Sequence, residues 1–403
     1  MIYRLKQAIA INNLDKDDIL LIIGSRQVGK TTLLKEIARQ LSDKGEEVYE
    51  YTLEDPEFLA ELNDHPENIF DYIHKPKSRV YLLIDEIQYL KNPSNFLKYI
   101  YDLYGKTIKL VVTGSSAFYI DKTFKDSLAG RKKIIELFTF CFSEFLYAKG
   151  EKKLARIVSE SPKIGEKRQF LKQQKRLLKQ YWYEYNNYGG YPKVVLENSI
   201  AEKKELLQEL IFSFLKKDIQ DSGVHYEDKF IKLTRILAAQ TGQLLNTNEL
   251  ANTLDLSKDT VSKYLYILRK SCIIRLCPPF SKNLRKELTK MPKAFFLDSG
   301  FRNRLLNNFE RIDRRPDAGC TLENAVFSEM VKSNISEIRF WRTQTKHEVD
   351  FIIDNLIAFE IKMNMKTFNN KKYSLFTQNY PEIPLKPVTC FDNQGLDVLD
   401  FSS

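Results

Sequence analysis

An α/β fold with a parallel sheet at its amino-terminal end is predicted by three observations. Apolar runs at Ile19–Ile23, Val80–Ile84 and Ile108–Val112 have the unbroken hydrophobic character of strands covered on both faces. A helix-period segment, Leu33, Leu34, Ile37, Ala38 and Leu41, follows the first run, and alternation of this kind marks crossover units wrapped around a parallel sheet. Between that strand and that helix stands Gly24-Ser25-Arg26-Gln27-Val28-Gly29-Lys30-Thr31, with Thr32 behind it.

The pattern G-x-x-x-x-G-K-[ST] in this context is a phosphate cradle. Its glycines let backbone N–H groups turn toward a phosphate at a helix N-terminus, Lys30 adds a point charge, and Thr31 offers a hydroxyl to Mg²⁺. Gly24 to Thr32 are therefore expected to bind ATP. The second run ends in Asp85-Glu86: Asp85 would hold the Mg²⁺ through water, and Glu86 would polarise the attacking water. The third run leads into Thr113-Gly114-Ser115-Ser116, at the strand end where ligands of open α/β sheets bind. Ser115 or Ser116 is either a γ-phosphate sensor or part of a turn that caps the next helix.

With 403 residues the chain is long enough for two to four domains. Cys141, Cys272, Cys277, Cys320 and Cys390 form no C-x-x-C pair. Their odd number and the lack of an apolar amino-terminal segment predict a reduced, cytoplasmic protein. No apolar run nears the ~18 residues that would cross a bilayer, so no membrane partner is expected. A net charge of +10 and a pI near 9.0 favour a polyanionic partner such as DNA, although a lysine-rich surface also solubilises.

Pattern changes set the expected boundaries: a nucleotide-binding core over 1–140, a charged helical region over 141–245, a winged helix-turn-helix over 246–280 and a mixed α/β region over 281–403. The helical region carries a stretch with seven basic residues, Lys163 to Lys179, and a break at Gly189-Gly190-Tyr191-Pro192. In the third region Leu250, Ala251 and Leu254 give one apolar face, Asp255-Leu256 a turn, and Ser257 the cap of a helix that buries Val261, Leu265 and Leu268. Cys272 to Leu276 supply the wing. Lys258, Asp259, Ser262 and Lys263 would face DNA if the module reads it; the module serves equally well as a scaffold.

Two strand-like runs, His347 to Ile353 and Leu356 to Met363, flank Asp354-Asn355, a dipeptide suited to a tight hairpin turn. Asp350 then falls opposite residue 359 or 360, and period-two geometry sends Glu360 and Lys362 to one face. Glu323, from the helical segment Thr321 to Val331, could join them. Asp350 and Glu360 would ligate Mg²⁺ or Mn²⁺, and Lys362 would position a water that attacks a phosphodiester. An inactive fold with a buried Glu360–Lys362 salt bridge is the alternative.

Taken together, Gly24 to Thr32, Leu83 to Gln88, Thr113 to Ser116, Leu128-Ala-Gly-Arg131, Gly189 to Pro192, Lys290 to Lys293 with Phe296 to Gly300, and Glu348 to Phe351 with Glu360-Ile-Lys362 resemble archaeal and bacterial proteins that join an AAA-type ATPase domain to domain of unknown function 4143. The resemblance implies a P-loop AAA-type ATPase core, a helical lid, a winged helix and a restriction-endonuclease-like carboxy-terminal α/β domain. It implies that Arg131 acts as an arginine finger on the γ-phosphate of a neighbouring subunit, which requires a homo-oligomer, and that Pro192 contacts adenine. Glu323, Asp350, Glu360 and Lys362 match the metal-site pattern of restriction endonucleases and Holliday junction resolvases. Where such proteins carry P-L-S-F, this chain has Phe140-Cys-Phe-Ser-Glu-Phe145. The resulting expectation is an ATP-hydrolysing, nucleic-acid-associated protein with a metal-dependent deoxyribonuclease domain. A regulatory ATPase switch whose carboxy-terminal domain only binds, or a protein-remodelling ATPase, are the alternatives.

Overall fold

The computed structural model describes residues 3–76, 78–114, 128, 130–159, 173–215, 224–281, 291–335 and 337–389. The chain forms two compact units, one built on Met1–Phe138 and one that takes most of the chain from Thr139 onward.

In the first unit five parallel strands, β1 (Ile19–Ile23), β2 (Val48–Thr52), β3 (Val80–Asp85), β4 (Ile108–Gly114) and β5 (Lys132–Glu136), lie in the order β2-β3-β4-β1-β5. Every residue of β1, β3 and β4 is buried, whereas the edge strands β2 and β5 are only partly so. That difference explains why the three central strands stood out as continuous apolar runs. The helix Lys30–Asp43 buries Leu33, Leu34, Ile37, Ala38 and Leu41, the stripe its period predicts. On the sheet, Leu82, Ile84, Leu110 and Val112 pack with Phe96, Leu97 and Ile100 of the helix Pro93–Tyr104. Each such side chain contributes roughly 1.5–3 kcal/mol. Because β4 lies between β1 and β3, the carboxyl ends of these three strands face one crevice.

The second unit begins with helices Phe142–Ala148, Lys175–Tyr188, Pro192–Leu196, Ile200–Ser213 and Glu227–Ala239. Helix Thr247–Leu254 follows and is closed by Asp255 in the left-handed conformation, φ 49°. The helix Lys258–Lys270 begins after Ser257, whose Oγ accepts the Thr260 N–H at 3.1 Å. It buries Val261, Leu265 and Leu268 together with Tyr264 and Ile267. An antiparallel pair, β6 (Ile274–Cys277) and β7 (Lys293–Phe296), follows.

The carboxy-terminal sheet has four strands, β8 (Ile338–Arg342), β9 (Glu348–Ile353), β10 (Ile357–Lys362) and β11 (Leu385–Thr389), in the order β11-β10-β9-β8. β8, β9 and β10 are antiparallel neighbours, while β11 runs parallel to β10. Asp354 and Asn355 both have positive φ, 50° and 60°, and the Leu356 N–H closes this turn on the Ile353 carbonyl at 2.9 Å, but Ile353 pairs with Ile357, so the loop holds one residue more than a two-residue hairpin. The register pairs Phe351 with Phe359, which sets Asp350 opposite 360 rather than 359. The helix Ala318–Lys332 packs against β7 and β10.

A buried polar knot holds the helical part of this unit to that last helix. Glu329 accepts the Phe142 N–H at 2.9 Å, and the Tyr185 hydroxyl lies 2.5 Å from its other oxygen. Lys332 Nζ donates to the Tyr185 hydroxyl at 2.9 Å. Thus the Phe140 to Phe145 segment, the departure from P-L-S-F, is anchored by a glutamate far along the chain. The break at Gly189-Gly190 meets Asp298, whose Oδ2 accepts the Gly190 N–H at 2.8 Å while Oδ1 caps its own helix through Phe301 N at 2.9 Å. A Cβ at Gly190 would stand 2.2 Å from the Phe140 carbonyl oxygen, and that approach involves backbone that cannot swing aside.

Gly190→Ala should therefore destabilise the second unit by about 3 kcal/mol or more, read by calorimetry as a lowered unfolding transition. Gly319→Ala should be neutral or stabilising by about 0.5 kcal/mol, since its helical site is open. An unchanged transition in Gly190→Ala would overturn the constraint that the Phe140 carbonyl places on Gly190.

Candidate functional site: a phosphate loop and a buried charge cluster

The loop after β1 turns through Gln27 and Gly29, both at positive φ, 60° and 96°, before the helix starts at Lys30. A Cβ on Gly24 would lie 2.1 Å from the Leu137 carbonyl oxygen, so only glycine fits where the loop leaves the sheet. The Lys30 ammonium, 4% exposed, donates to the carbonyls of Ser25 at 2.9 Å and Gly24 at 3.3 Å. Arg4 supports the loop from outside the motif: Nη1 reaches the Val28 carbonyl and Nη2 the Phe138 carbonyl, each at 2.6 Å. Nothing in the local sequence around Arg4 pointed to this clasp.

At the crevice end of β3, Asp85 accepts the Thr31 hydroxyl on Oδ2 at 2.7 Å and the Thr113 hydroxyl on Oδ1. Thr113 in turn receives the Glu86 N–H at 3.0 Å. Glu86 stands in the left-handed conformation, φ 60°, and its carboxylate accepts from the Gln88 amide. Thr113 is fully buried and so acts as a positioning residue that ties the carboxylates together. Ser115 and Ser116, the sensor candidates, lie outside the described residues. Arg131 makes a 2.9 Å ion pair with Asp102 at the protein surface.

The donor set fits a nucleotide-bound Mg²⁺. A hydroxyl and a carboxylate on one spot are the protein's usual share for an ion that takes its remaining ligands from water and phosphate.

In the second unit the carboxy-terminal sheet gathers a different charge group. Asp350 and Glu360 are 6% and 5% exposed on facing strands, and Asp350 accepts the Ile361 N–H at 2.7 Å. Burial, with Glu323 and Glu360 beside it, pushes the Asp350 carboxyl well above the usual range. Lys362 donates to Glu360 Oε1, whereas the buried Oε2 has no partner in hydrogen-bonding geometry. Lys293 of β7, 1% exposed, is paired with Glu348 and lies 3.6 Å from Glu323. Burial works against its charge, but Glu323, Glu348 and Asp350 outweigh it and hold the ammonium above its ordinary range. Glu323, Asp350, Glu360 and Lys362 are thus brought together as expected, and Lys293 and Glu348 are additions. Two ammonium groups stand among the carboxylates, and among the described residues no group of three or more His, Cys, Asp or Glu side chains could hold a metal ion. In this arrangement Glu323, Glu348 and Glu360 each lie against an ammonium group.

Three domain models match the chain: an AAA domain over residues 16–146, domain of unknown function DUF8612 over 179–311 and domain of unknown function DUF4143 over 318–397. The chain thus joins an AAA domain to a DUF4143 carboxy-terminal domain. An uncharacterized protein of Haemophilus influenzae is 26% identical over 387 residues, which cover 92% of this chain and 89% of the relative. One of Mycobacterium tuberculosis is 23% identical over 356 residues, 87% of this chain and 71% of the relative. Among solved structures, the RuvB Holliday junction branch migration motor of Thermotoga maritima covers 71% of this chain and 93% of its own at 18% identity and a TM-score of 0.29. The ORC2 protein of Aeropyrum pernix, in its ADP form, covers 68% and 88% at 13% identity and a TM-score of 0.34. Scores of this size leave the assignment to the domain matches and the site geometry.

The remaining expected site residues of the AAA/DUF4143 protein stand in the second unit. Pro192 occupies the first turn of its helix. Lys258, Asp259, Ser262 and Lys263 are all exposed on the helix after Ser257. Among the described residues no helix is long and apolar enough to cross a membrane.

Arg4→Ala tests the clasp. Hydrogen bonds from a charged donor contribute about 1.5–3 kcal/mol each, so ATP binding should weaken by about tenfold in titration calorimetry while the helical signal is kept. Wild-type affinity in a folded Arg4→Ala protein would overturn the positioning role.

Proposed function

We propose that this protein hydrolyses ATP and uses the cycle to control its engagement with nucleic acid. The observation that carries the first half is Asp85, buried and shared between the hydroxyls of Thr31 and Thr113, with Glu86 held beside it. Bound Mg²⁺ would supply charge to the β- and γ-phosphates. Gly24 to Thr32 would bind the triphosphate, Lys30 would exchange its loop carbonyls for the phosphate oxygens, and Thr31 and Asp85 would hold the ion. Glu86 orients the water that attacks the γ-phosphorus as ADP leaves. Arg131 would exchange Asp102 for the γ-phosphate of a neighbouring subunit, and Pro192 would line an adenine site.

Nucleic-acid engagement is supported by the +10 charge and by the exposed Lys258 and Lys263 on the second helix of a helix-turn-helix, which we read as a winged helix completed by β6 and β7. We read the chain as four parts: the ATPase core to about residue 140, a helical lid, the winged helix from about 246 to 280 and the carboxy-terminal α/β domain.

A second reading gives that last domain metal-dependent cleavage of DNA. It is favoured by one feature, the buried Asp350–Glu360 pair with an unpartnered Glu360 Oε2 beside Lys362. The engagement of Lys362 and Lys293 with the carboxylates weighs against it and favours a domain that binds without cutting.

Lys30→Ala should abolish ATP binding, whereas Glu86→Gln should bind ATP normally and lose turnover by about a hundredfold or more; nucleotide titration and phosphate release measure both. Equal loss of binding in the two variants would sink the assignment. Arg131→Ala should bind ATP and lose turnover only where subunits complete one another's sites.

For the second reading, branched, single-stranded and duplex DNA are incubated with Mg²⁺ or Mn²⁺ in each nucleotide state. Cleavage that Asp350→Asn abolishes, with ATP turnover intact, would establish a nuclease. No cleavage, or equal cleavage by Asp350→Asn, leaves a binding domain.

A further inference from the structure

β3 ends at Asp85, and the residues that follow build a short frame around Glu86. Glu86 stands at φ 60° and ψ 48°, a left-handed backbone that costs a non-glycine residue energy and persists only where its surroundings impose it. Here the Glu86 N–H donates to the Thr113 hydroxyl at 3.0 Å, and the Glu86 carbonyl accepts the Tyr89 N–H at 3.1 Å. Ile87 and Leu90, 0% and 2% exposed, anchor the short turn Ile87–Tyr89 in the apolar core of the first unit. The backbone of Glu86 and of Gln88 is thereby fixed, with both side chains half-buried. Across the turn the Gln88 amide Nε2 donates to Glu86 Oε2.

The residue type at 88 matters. A glutamate side chain turns about several bonds, whereas hydrolysis requires its carboxylate at one place beside the attacking water. A lysine or arginine at 88 would also hold the carboxylate, but its positive charge would make that carboxylate a poorer acceptor for the water's proton. Gln88 donates a hydrogen bond without carrying charge, so it fixes a direction and leaves the negative charge on Glu86. One amide donor also occupies only part of the acceptor capacity that two carboxylate oxygens offer.

We infer that Gln88 is a positioning residue for ATP hydrolysis, its amide aiming the Glu86 carboxylate at the water that attacks the γ-phosphorus. The inference rests on the role proposed above for Glu86 and adds the group that holds it. In the step it serves, the water oxygen bonds to the γ-phosphorus and Glu86 accepts a proton of the water. The bond from that phosphorus to the bridging oxygen breaks, and its electron pair leaves with ADP. Gln88 acts in this step through Glu86 alone.

The test is a double-variant cycle in the full chain with Mg²⁺ and ATP, read by phosphate release. Gln88→Met keeps the length and bulk of the side chain and removes the donor. It should lower kcat about tenfold, about 1.4 kcal/mol, while KM for ATP and the affinity for the β,γ-imido analogue of ATP stay within about twofold of wild type. Gln88→Ala, which removes the whole arm, should match it. Gln88→Glu, which sets a second carboxylate against the first, should lose more. In the Glu86→Gln background Gln88→Met should cost nothing further, because the carboxylate it aims is already gone.

An equal loss in the Glu86→Gln background, or a loss of nucleotide affinity that matches the loss of rate, would make Gln88 a structural residue of the turn and overturn the inference. Turnover at or above the wild-type rate in folded Gln88→Met would overturn it as well, the faster case marking the bond as a restraint that holds Glu86 back. Wild-type turnover in Glu86→Gln would bring down the role of Glu86 itself, and that of Gln88 with it.

Discussion

Asp85 accepts one hydroxyl from the helix that follows the phosphate loop and another from the neighbouring strand, and the first unit is arranged around that double contact. The strand order makes it necessary. Because β4 is inserted between β1 and β3, the acidic strand does not touch the strand that leads into the loop. Thr113, at the end of β4, bridges the gap: its hydroxyl reaches Asp85 and its Oγ takes the Glu86 N–H. A carboxylate buried to 7% exposure would be costly without such donors. With them it is oriented before any ion arrives, and preorganisation of this kind is what a phosphoryl-transfer site supplies.

The second unit solves the same problem with ammonium groups. Its carboxy-terminal sheet buries Asp350 and Glu360, and its helix brings Glu323. Carboxylates this close repel one another, and burial magnifies the repulsion. Lys293 answers Glu323 and Glu348 from β7, and Lys362 answers Glu360 from its own strand. A divalent ion and a pair of lysines are alternative ways to neutralise one such cluster. The lysine solution is self-contained, and it makes the cluster a tie between the helix Ala318–Lys332, the β6–β7 pair and the sheet.

What could be read from the sequence followed the range of the geometry. The phosphate loop, the Asp85-Glu86 pair, the apolar stripe of Leu33 to Leu41, the Asp354-Asn355 turn and the shared face of Glu360 and Lys362 are all set by periods of two or 3.6 residues and by local turn chemistry. The register of Asp350 turned on one residue, and the pairing of Phe351 with Phe359 fixed it. Arg4 on Val28 and Phe138, Thr113 on Asp85, Lys293 on Glu348 and Glu329 on Phe142 span long stretches of chain. No local period encodes them. A buried-lysine signal was available in the strand Lys293–Phe296, where a charged residue opens an apolar run, but its partners become evident only with the fold.

The net charge invites a simple argument that the fold changes. Lys109, Lys203, Lys293 and Lys332 are all buried, and their ammonium groups are spent on carbonyls, hydroxyls or carboxylates of the protein itself. Their charge still enters the total, yet it is not presented to a partner at contact distance, where counterion release is decided. The affinity of this protein for a polyanion is then governed by the smaller set of exposed cations and by how they cluster. Lys258 and Lys263 are both exposed on one helix. What a polyanion meets is the local grouping of exposed cations, not the total of +10.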